Sequence, residues 1–276
     1  MVTPVPRHNL PMNIILVHGI LGFREKFGIE YFRGVAEHFA AKGHKVIAPI
    51  LDPTRGIDYR GGQLRDKINA SLANGSIDPD QKTHIIAHSM GGLDSRWMLS
   101  PANPSRIQAP IRSLTTISTP HQGSPIADVI DAPEKLAPFG QLPFGPHPNL
   151  LQPALDALGI SLDGLRNLTT AYCKQFSATY TNNPAVAYFS AAGAGRTGFP
   201  ETCAAFFLFH KYISALTGEA NDGLVTVSSA QWGQFDRNTW PADHCDEVGT
   251  NLDTLGPSSF PWLAKYDLIL SAVAGL

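Results

Sequence analysis

The pattern of apolar and polar positions divides the chain into short unbroken apolar runs separated by amphipathic stretches. Asn13 to Val17 reads NIILV and runs directly into His18 and Gly19, as expected of a parallel strand buried on both faces and ending in a loop. A stretch at helical spacing follows, with Tyr31, Val35, Ala36 and Phe39 on one side and Gly43 closing it, and then the apolar run KVIAPIL; together these read as a β-α-β unit. The cycle repeats with a helix over 62–72, the strand THIIA, a helix from Met90 to Leu99 and the strand SLTTIS. Strands alternating with helices predict an α/β class, a mostly parallel sheet with helices on both faces.

After Ser118 the rhythm breaks. Pro133, Pro138, Pro143, Pro146, Pro148 and Pro153, with Phe139, Phe144 and Leu150 between them, leave no room for a strand,. Helical spacing returns around Leu151 to Leu158 and Leu162 to Phe176, so residues 125–184 read as a helical lid inserted into a single domain of 1–276,. The sheet then resumes with AVAYFSAAG, followed by a helix near Cys203 to Leu216, the strand-like segment DGLVTVSSAQW and a final helix near Trp262 to Val273.

Composition narrows the classes. With 276 residues, 43% hydrophobic and 16% charged, the chain has enough apolar material for a sizeable core,. A net charge of −2 with scattered Lys and Arg offers no basic stripe, which argues against a nucleic-acid partner,. No stretch approaches the roughly 18 uninterrupted apolar residues of a membrane helix, and MVTPVPRHNLPMN lacks the apolar core of a secretory signal,. The expectation is a soluble molecule, with extracellular and cytoplasmic locations both open. Cys173, Cys203 and Cys245 permit at most one internal disulfide and lack the spacing of a zinc site,.

The strongest chemical signal is Ala87-His88-Ser89-Met90-Gly91-Gly92, lying after an apolar strand and before a helical pattern. A nucleophile elbow turns so sharply from strand to helix that small residues are needed two before and two after the serine, whose hydroxyl is left exposed above the sheet. A serine hydroxyl needs a base within reach and a carboxylate to orient that base, in the chain order Ser, acid, His. Six of the ten histidines precede Ser89. Of the others, His121 follows the strand beside the elbow, His147 lies in the proline-rich stretch and His210 is in a helical pattern. His244, in a late polar loop, is the candidate base, and Asp222, at an Asn-Asp-Gly turn 22 residues earlier, the candidate acid. Asp243 and Asp246 flank His244 as fallback acids. Oxyanion donors are expected from the backbone N–H of Met90 and, in the loop after the first strand, from that of Ile20.

Five blocks, VHGILGF at 17–23, AHSMGG at 87–92, STPHQGS at 118–124, NDGLV at 221–225 and DHCDE at 243–247, resemble the bacterial family I triacylglycerol lipases of the Pseudomonas, Burkholderia and Proteus kind. The resemblance implies an α/β-hydrolase fold, Ser89, Asp222 and His244 as the triad, Ile20 and Met90 as oxyanion donors, and a mobile lid after Pro125. The family usually has Gly where Ala87 stands and often Gln where Met90 stands. It also implies a structural calcium, for which Asp246 is in position two residues after His244. Where a second aspartate belongs, about a helix before Asp222, this chain has Glu201. No cofactor is needed for the chemistry itself.

The expectation is therefore a lipase cleaving acylglycerol esters at a lipid–water interface through an acyl-enzyme. The alternative within hydrolases is a short-chain carboxylesterase, while a polyester depolymerase or an acyltransferase would use the same machinery. A non-catalytic binding module would require a broken triad. Asp at the elbow would mark a haloalkane dehalogenase and Cys a dienelactone hydrolase; Ser89 excludes both.

Overall fold

The computed structural model describes residues 10–20, 22, 30–104, 107, 109–131, 162–195 and 202–276. Its elements are β1 (Asn13–Val17), α1 (Val35–Ala40), β2 (Lys45–Ile47), α2 (Ile57–Ala73), β3 (Thr83–His88), α3 (Met90–Leu99), β4 (Ile111–Ile117) and α4 (Pro125–Asp131). These are followed by α5 (Asp163–Arg166), α6 (Thr170–Thr179), β5 (Ala187–Ala191), α7 (Ala204–Thr217), α8 (Val227–Ala230), β6 (Gln234–Phe235), β7 (Thr250–Asn251), β8 (Gly256–Pro257) and α9 (Trp262–Val273).

Six strands form one parallel sheet in the order β2-β1-β3-β4-β5-β6, with β7 and β8 a separate antiparallel pair. All five residues of β1 are buried, because alternate side chains enter different cores. Ile14 and Leu16 pack with Val35, Phe39, Tyr266 and Leu270 on the face covered by α1 and α9. Ile15 and Val17 pack with Leu64, Ile68 and Met98 on the face covered by α2 and α3. A strand buried on both sides has no polar alternation to show, which is why NIILV is an unbroken run.

This topology sets the place of the site. From β1 the chain moves outward to β2, returns to β3 on the other side of β1, and continues to β4. The crevice above the carboxyl ends of β1 and β3 is thus the switch point at which α/β sheets bind ligands. Val17 and Ala87 are register partners, so the Gly19 loop and Ser89 emerge side by side.

Three expectations change. KVIAPIL contributes only Lys45–Ile47 to the sheet edge; Pro49, lacking an N–H, stands just beyond it. DGLVTVSSAQW is not a strand: it forms a turn at Asp222 and the short α8, and only Gln234–Phe235 joins β5. The helix expected over Leu162 to Phe176 is broken between α5 and α6, where the Asn167 side chain accepts the Ile57 N–H at 2.8 Å and Thr169 caps α6. Leu168 in this break is buried against Ile57, Met90 and Leu93, so this end of the 125–184 segment packs on the body beside the elbow. The proline-rich stretch at 133–153 and the helix expected over Leu151 to Leu158 lie outside the described residues. Among the described residues no helix is long and apolar enough to cross a membrane.

Candidate active site

Ser89 stands between β3 and α3 with φ 55 and ψ −132, a left-handed backbone that a non-glycine residue adopts only when its surroundings enforce it. They do so through both of its backbone groups: Ser89 N–H donates to the Ile117 carbonyl at 3.0 Å, and its carbonyl accepts from Thr119 Oγ1 at 2.7 Å. The glycines after it are sterically required. A methyl group on Gly91 would drive into the Val17 carbonyl, and one on Gly92 into the Thr119 side chain. Ala87 is a different case, since its methyl packs within the core on the α2 and α3 face, so the departure from glycine there is accommodated. Met90 opens α3, so its N–H is among those a helix leaves without an internal partner.

The other oxyanion candidate lies in a loop held from behind. Arg60 on α2, fully buried, donates through Nη2 to the His18 and Gly19 carbonyls at 2.8 and 3.2 Å. It pairs with buried Asp94 on α3, Nη2 to Oδ2 at 2.7 Å. His18 Nε2 accepts the Leu51 N–H at 2.8 Å, so in neutral imidazole the proton is on Nδ1, which donates to the Gly19 carbonyl at 2.8 Å,. Burial, with Arg60 beside it, lowers the His18 pKa to about 4 and keeps the ring neutral. With the Gly19 carbonyl tied to Arg60 and His18, the N–H on the other side of that trans peptide, from Ile20, is directed the opposite way. Gly19 itself lies against Ser89: a Cβ there would lie 2.6 Å from Ser89 Cβ and 3.0 Å from its Oγ.

Asp222 and His244 meet. His244 Nδ1 lies 2.7 Å from Asp222 Oδ2, and the His244 backbone N–H donates to the Asp222 carbonyl at 3.0 Å. Asp222 is fully buried, and its Oδ1 accepts the N–H groups of Leu224 and Val225 at 2.9 and 2.7 Å. Three donors on one carboxylate stabilise its charge and fix its orientation. They also place the His244 proton on Nδ1 and leave Nε2 as the basic nitrogen. The His244 ring packs 4.4 Å from that of His88, the residue before Ser89.

The remaining histidines have other partners. His121 lies between Thr116 Oγ1 at 3.0 Å and Arg96 Nη1 at 3.1 Å, stacked on Trp232. His210 Nε2 bonds the Gly195 carbonyl at 2.9 Å. His147 is outside the described residues. Asp243 serves as a local brace, accepting the backbone N–H groups of Cys203, Cys245 and Asp246 at 2.8, 2.9 and 2.9 Å.

Sequence reasoning missed Glu247. It is fully buried, accepts from Ser118 Oγ at 2.7 Å, lies 3.1 Å from His88 Nε2 and meets the Asp222 carboxyl. Burial first, then Asp222, pushes its carboxyl well above the usual range. His88, His244 and Glu247 gather their nitrogens and oxygens within 4.8 Å, but Tyr31, Asp222 and Ser118 already engage these groups, so the cluster fits a hydrogen-bond network rather than a metal site. The DHCDE block contained the only sequence signal for Glu247; nothing in the sequence marked Arg60 or Asp94, and Tyr31 stood out only as an apolar position beside Val35.

Asp246, the candidate calcium ligand, takes part in two hydrogen bonds. Ser258 Oγ donates to its Oδ1 at 2.5 Å and the Asp243 N–H to its Oδ2 at 3.4 Å, whereas calcium requires six to eight oxygens with lone pairs facing the ion. Glu201 lies outside the described residues. The cysteines are three free thiols, Cys173, Cys203 and Cys245.

A family model described as a PGAP1-like alpha/beta domain matches residues 61–133. The chain is similar to triacylglycerol lipase 2 of Saccharomyces cerevisiae, 35% identical over 225 residues that make up 80% of this chain and 62% of the yeast protein. It is 26% identical over 260 residues to the triacylglycerol lipase of Vibrio cholerae, covering 85% of this chain and 78% of that one. Among solved structures, the lipase of Staphylococcus hyicus superposes with a TM-score of 0.74 at 17% identity, covering 100% of this chain and 98% of its own. The mostly parallel sheet with helices expected from the sequence agrees with this likeness of fold.

Two outcomes follow from the geometry. Asp94→Ala leaves the buried Arg60 charge unpaired, and chemical denaturation should register a loss of about 3–5 kcal/mol. Excess chelator should leave the thermal midpoint and any ester hydrolysis unchanged relative to added calcium; a midpoint that rises with calcium would put an ion back at Asp246.

Proposed function

We propose that this chain, an α/β hydrolase and a homologue of proteins named triacylglycerol lipase, is a serine ester hydrolase that cleaves acylglycerol esters through an acyl-enzyme. The observation that carries this reading is the buried Asp222–His244 pair, packed at the elbow from which Ser89 projects.

In the proposed reaction Ser89 Oγ attacks the acyl carbonyl carbon while His244 Nε2 takes its proton. Asp222 holds the imidazolium that forms. The N–H groups of Ile20 and Met90 receive the negative charge on the carbonyl oxygen. Collapse of the tetrahedral species expels the alcohol, which takes the proton from His244 and leaves the acyl group on Ser89. Water then attacks that ester while His244 Nε2 takes its proton, and collapse of the second tetrahedral species returns the proton to Ser89 Oγ and releases the carboxylic acid.

The acyl chain's length and the lipid–water interface are part of the proposal. Support comes from α7: Phe206 sets its ring edge-on to His244 at 6.4 Å, while Leu208 and Leu216 on the same helix are each 50% exposed. Apolar side chains on the solvent side of an element that borders the site suit contact with a lipid surface. The lid reading of residues 125–184 is likewise proposed.

Ser89→Ala and His244→Ala should each lower hydrolysis of a soluble aryl ester on the order of 10⁴-fold or more, and Asp222→Ala somewhat less. Ser89→Ala should unfold at a temperature near that of the unsubstituted protein, whereas Asp222→Ala strands the buried Leu224 and Val225 N–H groups and should unfold lower,; near-normal activity in Asp222→Ala would move the acid elsewhere. A binding trough gains about 0.8 kcal/mol per buried CH₂, so kcat/KM should rise along aryl esters from acetyl toward longer chains, and emulsified triolein should release fatty acid. A maximum at acetyl with no release from triolein would make the enzyme a short-chain carboxylesterase.

A further inference from the structure

We infer that Tyr31 and His88 are positioning residues which hold the oxyanion loop and the acid–base pair in register through one directed line of hydrogen bonds. The inference rests on the serine-hydrolase reading above.

The line begins at the oxyanion loop. Gly19 N–H donates to Tyr31 Oη at 3.0 Å, Tyr31 Oη lies 2.6 Å from His88 Nδ1, and His88 Nε2 lies 3.1 Å from Glu247 Oε2. Glu247 Oε1 accepts from Ser118 Oγ, which in turn accepts the Gly193 N–H at 3.0 Å. At its far end Glu247 meets Asp222, the partner of His244. His88 is 1% exposed and Glu247 0%, so neither can exchange a protein partner for water at low cost.

Counting protons gives the line its direction. A phenol has one hydrogen to donate, and its oxygen already accepts the Gly19 N–H,. The phenol hydrogen therefore goes to His88 Nδ1, the imidazole proton sits on Nε2, and it is given to Glu247. The opposite arrangement, with His88 donating to Tyr31, leaves the phenol hydrogen without an acceptor among the described residues. Neutral His88 satisfies both neighbours at once, and burial keeps it neutral.

The mechanical consequence falls on Gly19. Its carbonyl is fixed by Arg60 and His18, and its N–H by Tyr31, so both peptide planes around it are set and with them the direction of the Ile20 N–H. The same His88 ring packs 4.4 Å from the base. Loss of the line should loosen contacts that are made only with the developing oxyanion and imidazolium. Such loss lowers kcat and leaves KM near its original value.

The test uses the full chain and a soluble aryl butyrate, with kcat and KM measured separately and folding checked by thermal unfolding. Tyr31→Phe and His88→Leu should each lower kcat about tenfold or more, short of the 10²–10³ typical for deleting an oxyanion donor outright, with KM within about twofold. His88→Gln offers an acceptor toward Tyr31 and a donor toward Glu247, and should recover most of what His88→Leu loses. Unchanged kcat in Tyr31→Phe, a loss confined to KM, or equal activity of His88→Gln and His88→Leu would overturn the inference. If His88→Leu does not fold, Tyr31→Phe, which deletes a single oxygen, decides alone. Ser89→Ala separates the two readings: inactive Ser89→Ala beside fully active Tyr31→Phe removes only the positioning line, whereas active Ser89→Ala removes the serine-hydrolase reading itself.

Discussion

The close approach of three loops at the carboxyl ends of β1, β3 and β4 is the constraint on which the rest of the site depends. Gly19, Gly91 and Gly92 each face a neighbour that leaves no space for a Cβ, and Ser89 between them holds a positive φ. A conformation of that kind costs about 1–3 kcal/mol. It persists because the sheet fixes both ends: β1 and β4 flank β3, the last residue of β4 accepts the Ser89 N–H, and Thr119 in the loop after it donates to the Ser89 carbonyl. The proposed nucleophile is thereby built into the centre of the sheet, and the proposed acid and base must be brought to it from loops much later in the chain.

That division explains what the sequence revealed. Strands buried on both faces and a turn that tolerates only small residues leave strong local marks, so β1, β3, β4 and the elbow at Ser89 could be read directly. Asp222 and His244 could be reached by chain order and elimination. The segment between them could not, because local side-chain bonds override its strand-like pattern. Asp222 captures the Leu224 and Val225 N–H groups, and Thr226 caps α8, which removes those donors from any sheet ladder. The hydroxyl that bonds Asp246 comes from Ser258, outside the block that suggested an ion there.

Buried charge lies on both sides of Ser89, held by protein partners rather than by solvent. Behind the oxyanion loop, Arg60 reaches Asp94 and three carbonyls, those of Asp52, His18 and Gly19. Burial lifts Asp94 to about 6 even with Arg60 beside it, which leaves the carboxylate ionised at neutral pH. Further along α3, Arg96 has no carboxylate among its described partners; its guanidinium lies 3.6 Å from the Trp232 ring centre and donates to His121. Such groups are costly places to lose a partner, so they specify one arrangement of α2, α3 and the loops above the sheet where an apolar core would allow several.

The same burial protects the charge cycle of the base. In the proposed reaction His244 becomes an imidazolium twice per turnover, with the His88 ring 4.4 Å away. A second positive charge at that separation would oppose it by on the order of 4 kcal/mol at an effective dielectric constant near 20, roughly three decades in rate. His88 avoids this because both of its nitrogens are engaged, one with a phenol and one with a carboxyl, and because desolvation holds its pKa well below the ordinary imidazole value. A histidine that chain order rules out as the base is therefore suited to stand beside it: neutral, fixed in one tautomer, and transmitting position rather than charge.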